Sequence, residues 1–229
     1  MYSHLFFDLD RTLWDFETNS YETLTEIIDR YELLKKGLKD IDLFVKEYYI
    51  INDKLWEEYR VGTIDKETLR YERFRRALLK YAITDNSLIM HIGNDYVNLS
   101  PVKTNLIPYA KEVLSYLSKK YELYIITNGF EEVQHIKLKE SGIEHYFIDV
   151  ITSERAGCKK PDVRIFDYSM KLANARAKTS LMIGDCLVAD IGGARNAGIH
   201  QVFFNPNSIE HNANVTYEIK SLNELKKIV

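Results

Sequence analysis

The chain has little cysteine, no extended apolar run and almost no charge imbalance, and each shortage narrows what it can be. Two cysteines in 229 residues, Cys158 and Cys186, are too few for a disulfide framework, and none of the six histidines stands at zinc-type spacing from them. Both thiols are expected to be reduced and structural. No apolar stretch approaches the ~20 residues of a membrane-spanning helix, and Asp8 and Asp10 fall where a signal peptide would be hydrophobic. The expectation is a cytoplasmic protein with no membrane partner. With 31 basic against 34 acidic side chains, the net charge of −3 makes no global case for binding a nucleic-acid polymer. Internal repeats and low-complexity tracts are also missing.

What is present is an ordinary globular composition, 45% hydrophobic and 28% charged, in a chain longer than the commonest domain. One core with a sizeable insertion fits that length. The chain opens on Ser3-His4-Leu5-Phe6-Phe7-Asp8-Leu9-Asp10-Arg11-Thr12-Leu13, an apolar run that reads as a strand buried on both faces. Asp8 and Asp10 stand two apart and so face one side of an extended chain; an isolated Asp-x-Asp is better explained as a solvated turn, and the rest of the sequence has to decide.

Residues 19–99 contain no strand pattern and read as four helices: Asn19–Lys36, Asp42–Val61, one after Asp65 as N-cap, and Ser87–Leu99. The third carries Leu69, Phe74, Leu78 and Leu79 inward, while Arg70, Arg73, Arg75, Arg76 and Lys80, interspersed with Glu67 and Glu72, read as a solvated face. From Pro101 the pattern alternates helix and strand. Helices are expected from Pro108 to Lys120, from Glu131 to Gly142, and from Pro161 to Ala173, with a short one before Gly198. Strands are expected over Leu123–Thr127, Phe147–Thr152, Ser180–Gly184 and His200–Phe204; Thr216–Ile219 adds an edge strand before a terminal helix from Asn223 to Val229. The fold class is α/β, a Rossmann-like parallel sheet with helices on both faces. Core residues 1–15 and 101–229 are interrupted by an inserted helical domain at 16–100.

Parallel strands end on one edge of their sheet, and there open α/β sheets bind ligands. Asp8 and Asp10, Thr127 and Asp185 each follow a strand directly, which delivers an acidic pair, a hydroxyl and a further carboxylate to one crevice. Three crowded carboxylates repel unless a hard divalent cation sits among them, and oxygen ligands with room for water and phosphate suit Mg²⁺.

Asp8-Leu9-Asp10-Arg11-Thr12-Leu13, Thr127-Asn128-Gly129, Lys160-Pro161 and Gly184-Asp185 followed by Asp190 resemble the four ordered motifs of the haloacid dehalogenase (HAD) superfamily. The resemblance implies that Asp8 is a nucleophile forming an aspartyl-phosphate, and that Asp10 protonates the leaving alkoxide and later deprotonates water. It implies Mg²⁺ held by Asp8, the Asp10 carbonyl and Asp185. Thr127, Asn128 and Lys160 would take phosphate oxygens, and Asp190 would position Lys160 or water rather than the metal. Dehalogenases of the superfamily lack the second Asp, so Asp10 argues for a phosphatase. Arg11 departs from the Gly, Asp or Asn usual there; its long cation can pair with carboxylates, touch substrate or face solvent. Cys186 adjoins a metal position but reads as a small structural thiol.

The helical insertion resembles a type 1 cap. Trp56-Glu57-Glu58-Tyr59-Arg60, Ile126-Thr127-Asn128-Gly129-Phe130, the stretch Ala189 to Ile199 and Phe204-Asn205-Pro206 look like the YjjG-type nucleoside 5'-monophosphate phosphatases. The implied partner is a small phosphomonoester, a nucleoside monophosphate, acted on by a monomer or homodimer. Trp14, Phe16, Trp56 and Tyr59 are candidate platforms for a nucleobase. A phosphatase of sugar phosphates shares every catalytic residue and stays open as the alternative. A non-catalytic member of the fold should have lost a motif residue, and none is lost.

Overall fold

In the computed structural model, which describes residues 2–229, strand β1 (His4–Phe7) is the point where the sheet reverses its order. Four helices follow it: α1 (Phe16–Arg30), α2 (Ile41–Arg60), α3 (Lys66–Leu79) and α4 (Asn86–Leu99). The chain then runs through α5 (Ala110–Leu117), β2 (Glu122–Thr127), α6 (Glu131–Glu140), β3 (Asp149–Thr152), α7 (Ser153–Ala156) and α8 (Val163–Leu172). It ends with β4 (Ser180–Gly184), a π-helical stretch over Leu187–Gly192, α9 (Gly193–Asn196), β5 (His200–Phe204), β6 (Tyr217–Ile219) and α10 (Leu225–Ile228). The six strands lie in the order β3-β2-β1-β4-β5-β6, every neighbouring pair parallel. Because β1 sits between β2 and β4, the connections leave it in opposite directions and open a crevice at its carboxyl end.

The chain forms two compact units, Met1–Phe16 with Thr104–Val229, and Glu17–Lys103. In the sheet unit successive residues of β1 serve opposite faces. Phe6 packs with Tyr124, Ile126 and Met182 against Ile165, Phe166 and Ala194. Leu5 and Phe7 join Ile125, Ile183, Val113, Leu114 and Leu117 on the other side. Both phenylalanines are wholly buried, each contributing about 1.5–3 kcal/mol through removal from water. Helices therefore cover both faces, which is why the strands read as unbroken apolar runs.

The Glu17–Lys103 unit has its own core, built on Leu24, Ile28, Phe44, Tyr48, Phe74 and Ile92. Asp40, Asp65 and Asp85 cap α2, α3 and α4, their carboxylates accepting from the amides of Leu43 (2.8 Å), Thr68 (2.7 Å) and Ser87 (2.9 Å). Among the described residues no helix is long and apolar enough to cross a membrane.

Several expected boundaries move. Helix α1 starts at Phe16 and stops at Arg30, where the chain breaks into turns that place Glu32 at φ 50°. Helix α8 starts at Val163, not Pro161, because Asp162 caps it by accepting from the Arg164 amide at 2.9 Å. Helix α5 starts at Ala110, since Tyr109 adopts a left-handed φ of 71° that interrupts the turn opened by Pro108. Strand β3 omits Phe147, and the one-turn α7 was not anticipated. On α3, Leu79 points outward at 52% exposure while Leu69, Phe74 and Leu78 are buried. The same helix corrects the reading of a wholly solvated basic face: Arg73 is buried, with its guanidinium 4.5 Å from the Tyr96 ring centroid.

Candidate active site

The turn after β1 is fixed by its own backbone. The amides of Leu13 and Trp14 both donate to the Leu9 carbonyl at 2.9 Å, the Arg11 amide donates to the Trp14 carbonyl at 2.9 Å, and Arg11 takes a left-handed φ of 65°. The Asp8 amide meanwhile prolongs the ladder to β4 by donating to the Ile183 carbonyl at 2.9 Å. Asp8 thus stays on the rigid strand end, and Asp10 hangs from the turn.

Lys160 is the electrostatic centre. Its ammonium is buried and spends all three N–H donors: on Asp8 Oδ1 (2.6 Å), on Asp190 Oδ1 (2.6 Å) and on the Ile126 carbonyl (2.7 Å). Burial alone would lower the lysine pKa, but Asp190 and Asp8 reverse this and hold it above its ordinary value. Among the described residues no side chain bonds Asp8 Oδ2, so one oxygen of this carboxylate is committed and one is free.

Asp185 lies beyond β4 and accepts from the Thr12 hydroxyl at 3.2 Å. Carboxylate oxygens of Asp8, Asp185 and Asp190 all come within 4.8 Å of one another. Burial, then Asp190, pushes Asp185 up to about 7, and burial drives Asp8 well above the usual carboxylate range against the pull of Lys160. Three carboxylates around one ammonium leave excess negative charge in a site of hard oxygen donors, which suits a divalent cation. Asp190 fits that role least. It is buried with Oδ1 on Lys160 and Oδ2 accepting from the Cys186 amide at 3.0 Å, so both oxygens already have protein partners. Gly184 makes room for it, since a Cβ there would collide with the Asp190 carboxylate. The Cys186 thiol is raised by burial and by Asp190, which keeps it protonated and unreactive.

The turn after β2 contributes a second cluster. Thr127 is buried, and its Oγ1 accepts from the Gly129 amide (3.0 Å) and from Gln134 Nε2 (2.7 Å), which leaves the hydroxyl proton free to donate. The Asn128 side chain pairs twice with the Lys160 backbone, Nδ2 donating to the carbonyl at 2.9 Å and Oδ1 accepting from the amide at 2.8 Å, so the side chain clamps the Lys160 loop and a phosphate contact at this position would fall to the backbone amide.

Helix α6 supplies two residues that sequence reasoning missed. Gln134 Nε2 donates to Asp10 Oδ2 at 2.9 Å, and Lys137 Nζ donates to Asp10 Oδ1 at 2.5 Å. The signal was a glutamine and a lysine three apart just beyond Thr127-Asn128-Gly129, which place both on one helix face. Thr12 was missed as well, although it belongs to the opening motif.

The aromatic candidates fare differently. Trp14 is completely buried, and its ring face is covered by Lys137 Nζ at 4.2 Å, so it is no open stacking platform. Tyr59 is buried against the edge of Trp56, at 5.5 Å between centroids, and only Trp56 of that pair is half-exposed. Arg11 does not simply face solvent: its guanidinium lies 4.6 Å from the Phe16 centroid, and its charge works against the rise in the Asp185 pKa.

A switch-point carboxylate held by a buried lysine, beside a second carboxylate held separately, defines a hydrolase of the doubly wound α/β class. Residues 2–198 match the haloacid dehalogenase-like hydrolases, and the chain belongs to that family. It is 33% identical to the pyrimidine 5'-nucleotidase PynA of Streptococcus pneumoniae, across 98% of this chain and 93% of that one. Identity to the pyrimidine 5'-nucleotidase YjjG of Escherichia coli is 28%, across 98% and 96%. The structure of the HAD-hydrolase YfnB from Bacillus subtilis bound to magnesium is similar at a TM-score of 0.90 and 29% identity, covering 99% of this chain and 98% of that one.

Proposed function

We propose that this hydrolase is a phosphatase of nucleoside 5'-monophosphates that works through a phosphorylated Asp8. The observation that carries the reading is the division of the two aspartates. Asp8 is bound to Lys160 with one oxygen free, whereas Asp10 is bound to Gln134 and Lys137 and is the more exposed of the two. One carboxylate is set to make a bond and the other to move a proton.

In the first step the free oxygen of Asp8 attacks phosphorus, the bond to the ester oxygen breaks, and protonated Asp10 gives its proton to the departing alkoxide. In the second, Asp10 as carboxylate takes a proton from water as that water attacks phosphorus, and the bond to Asp8 breaks to release phosphate. Thr127 donates to a phosphoryl oxygen, and Lys160 exchanges its Asp8 contact for another. Asp8, Asp185 and the Asp10 carbonyl would hold a magnesium ion, which would supply positive charge against the negative charge of the phosphoryl group. Asp190 keeps Lys160 in place, and Glu17–Lys103 acts as the substrate-selecting cap.

The nucleotide preference is supported by the full-length similarity to two pyrimidine 5'-nucleotidases. A panel of nucleoside monophosphates, hexose phosphates and phosphoglycolate, assayed with Mg²⁺, tests it. A nucleotide should give the highest kcat/KM, and Asp8→Asn should abolish turnover of every ester. A sugar phosphate preferred over all nucleotides rejects the substrate assignment, and an active Asp8→Asn enzyme rejects the nucleophile.

A further inference from the structure

Resting on the phosphatase reading above, we propose that Gln134 and Lys137 of α6 are positioning residues for proton transfer, fixing Asp10 relative to the phosphate-facing hydroxyl of Thr127. Together they engage both oxygens of the Asp10 carboxylate, which stops its rotation. Gln134 divides its two N–H donors between Asp10 Oδ2 and Thr127 Oγ1, so a single amide sets the spacing of proton donor and phosphate donor. While Asp10 is ionised its carboxylate only accepts, so in that state the group facing it is the NH₂.

The surroundings immobilise both side chains. Gln134 is fully buried and lies against Gly129, where any Cβ would collide with its amide. Lys137, with 8% of its side chain exposed, rests on the face of the buried Trp14, which explains why an indole follows the Asp10 turn. Asp10 itself keeps 28% of its side chain exposed, so the α6 pair holds its inner side and leaves the remainder open to a leaving group. Packing does not account for the glutamine. Its Oε1 is buried with no hydrogen-bond partner, a destabilising arrangement that an apolar side chain of equal size would avoid.

The test compares two esters of the same phosphoryl group, a nucleoside 5'-monophosphate and 4-nitrophenyl phosphate, in wild type, Gln134→Leu, Lys137→Met and Lys137→Arg. An alkoxide needs protonation as it leaves, and a nitrophenolate hardly does. Because kcat/KM extends only to the first irreversible step, phosphoryl transfer to Asp8, it isolates the acid role. Gln134→Leu and Lys137→Met should lose about 10²-fold or more in kcat/KM on the nucleotide and under about tenfold on the aryl ester. The loss should lie in kcat with KM little changed, and Lys137→Arg should recover most of it. In an Asp10→Asn background, Lys137→Met should add no further leaving-group dependence. Equal losses on both esters, no loss, or additive effects in the double variant would overturn the assignment. A wild type that hydrolyses neither ester with Mg²⁺ would instead remove the phosphatase reading, and this inference with it.

Discussion

Lys160 shows how much of the site rests on one side chain. Its ammonium satisfies two buried carboxylates and a strand carbonyl, so it holds the site together, and the proposed mechanism asks it to serve the phosphoryl group as well. Lys160→Met would leave Asp8 and Asp190 buried without a cation, and breaking a buried pair in this way costs about 3–5 kcal/mol. We expect a melting temperature lower by roughly ten degrees, at about 2–4 °C per kcal/mol, together with loss of turnover. Calorimetry alongside a phosphate-release assay checks both, and an unshifted melt would show that the pair contributes little. Topology alone pointed to Asp8, Asp10, Thr127 and Asp185, which follow strands directly, whereas Lys160 and Asp190 stand in a loop and a helix and were pointed to only by the resemblance of their motifs. The sequence did not disclose that Asn128 clamps the Lys160 backbone, since either role begins from the same position on the same turn.

At the scale of elements, strands were legible and helix faces only partly so. Strands β1, β2, β4 and β5 are continuous apolar runs bounded by polar residues, and a run buried on both faces admits few other readings. Polar residues on a helix, by contrast, look solvated whichever way they point. Arg73 on α3 and Gln134 and Lys137 on α6 are buried only because of what packs against them, and that is tertiary information. The turn between β2 and α6 carries a further consequence. Gly129→Ala would drive a Cβ into the Gln134 amide, an overpacking usually worth 1–3 kcal/mol, and would displace the link between Thr127 and Asp10. Its kcat/KM on a nucleotide should fall more than on an aryl phosphate; an unchanged ratio of the two would show that the link tolerates the shift.

Across the whole molecule, the acidic cluster couples stability to pH and to metal. Asp185 is pushed up to about 7 and Asp8 lies well above the usual carboxylate range, both chiefly through burial. Between roughly pH 4, where the unfolded carboxyls ionise, and pH 7, the folded chain holds protons that the unfolded chain has released. Stability of the metal-free protein should therefore fall as pH rises through that window. A divalent cation favours the ionised carboxylates and offsets the fall, so the gain in melting temperature on adding Mg²⁺ should be larger at pH 8 than at pH 5. Thermal melts with Mg²⁺ or with chelator at the two pH values measure this, and an equal gain at both would separate the metal from these aspartates.

The proposed mechanism turns on covalent phosphorylation of Asp8. Mixing enzyme, Mg²⁺ and a nucleoside monophosphate, quenching in acid during turnover and mapping peptides by mass spectrometry tests it most directly. A phosphoryl group on the peptide containing Asp8, absent in Asp8→Asn, is the expected result. Full turnover with no adduct, or an adduct on another residue, would contradict it.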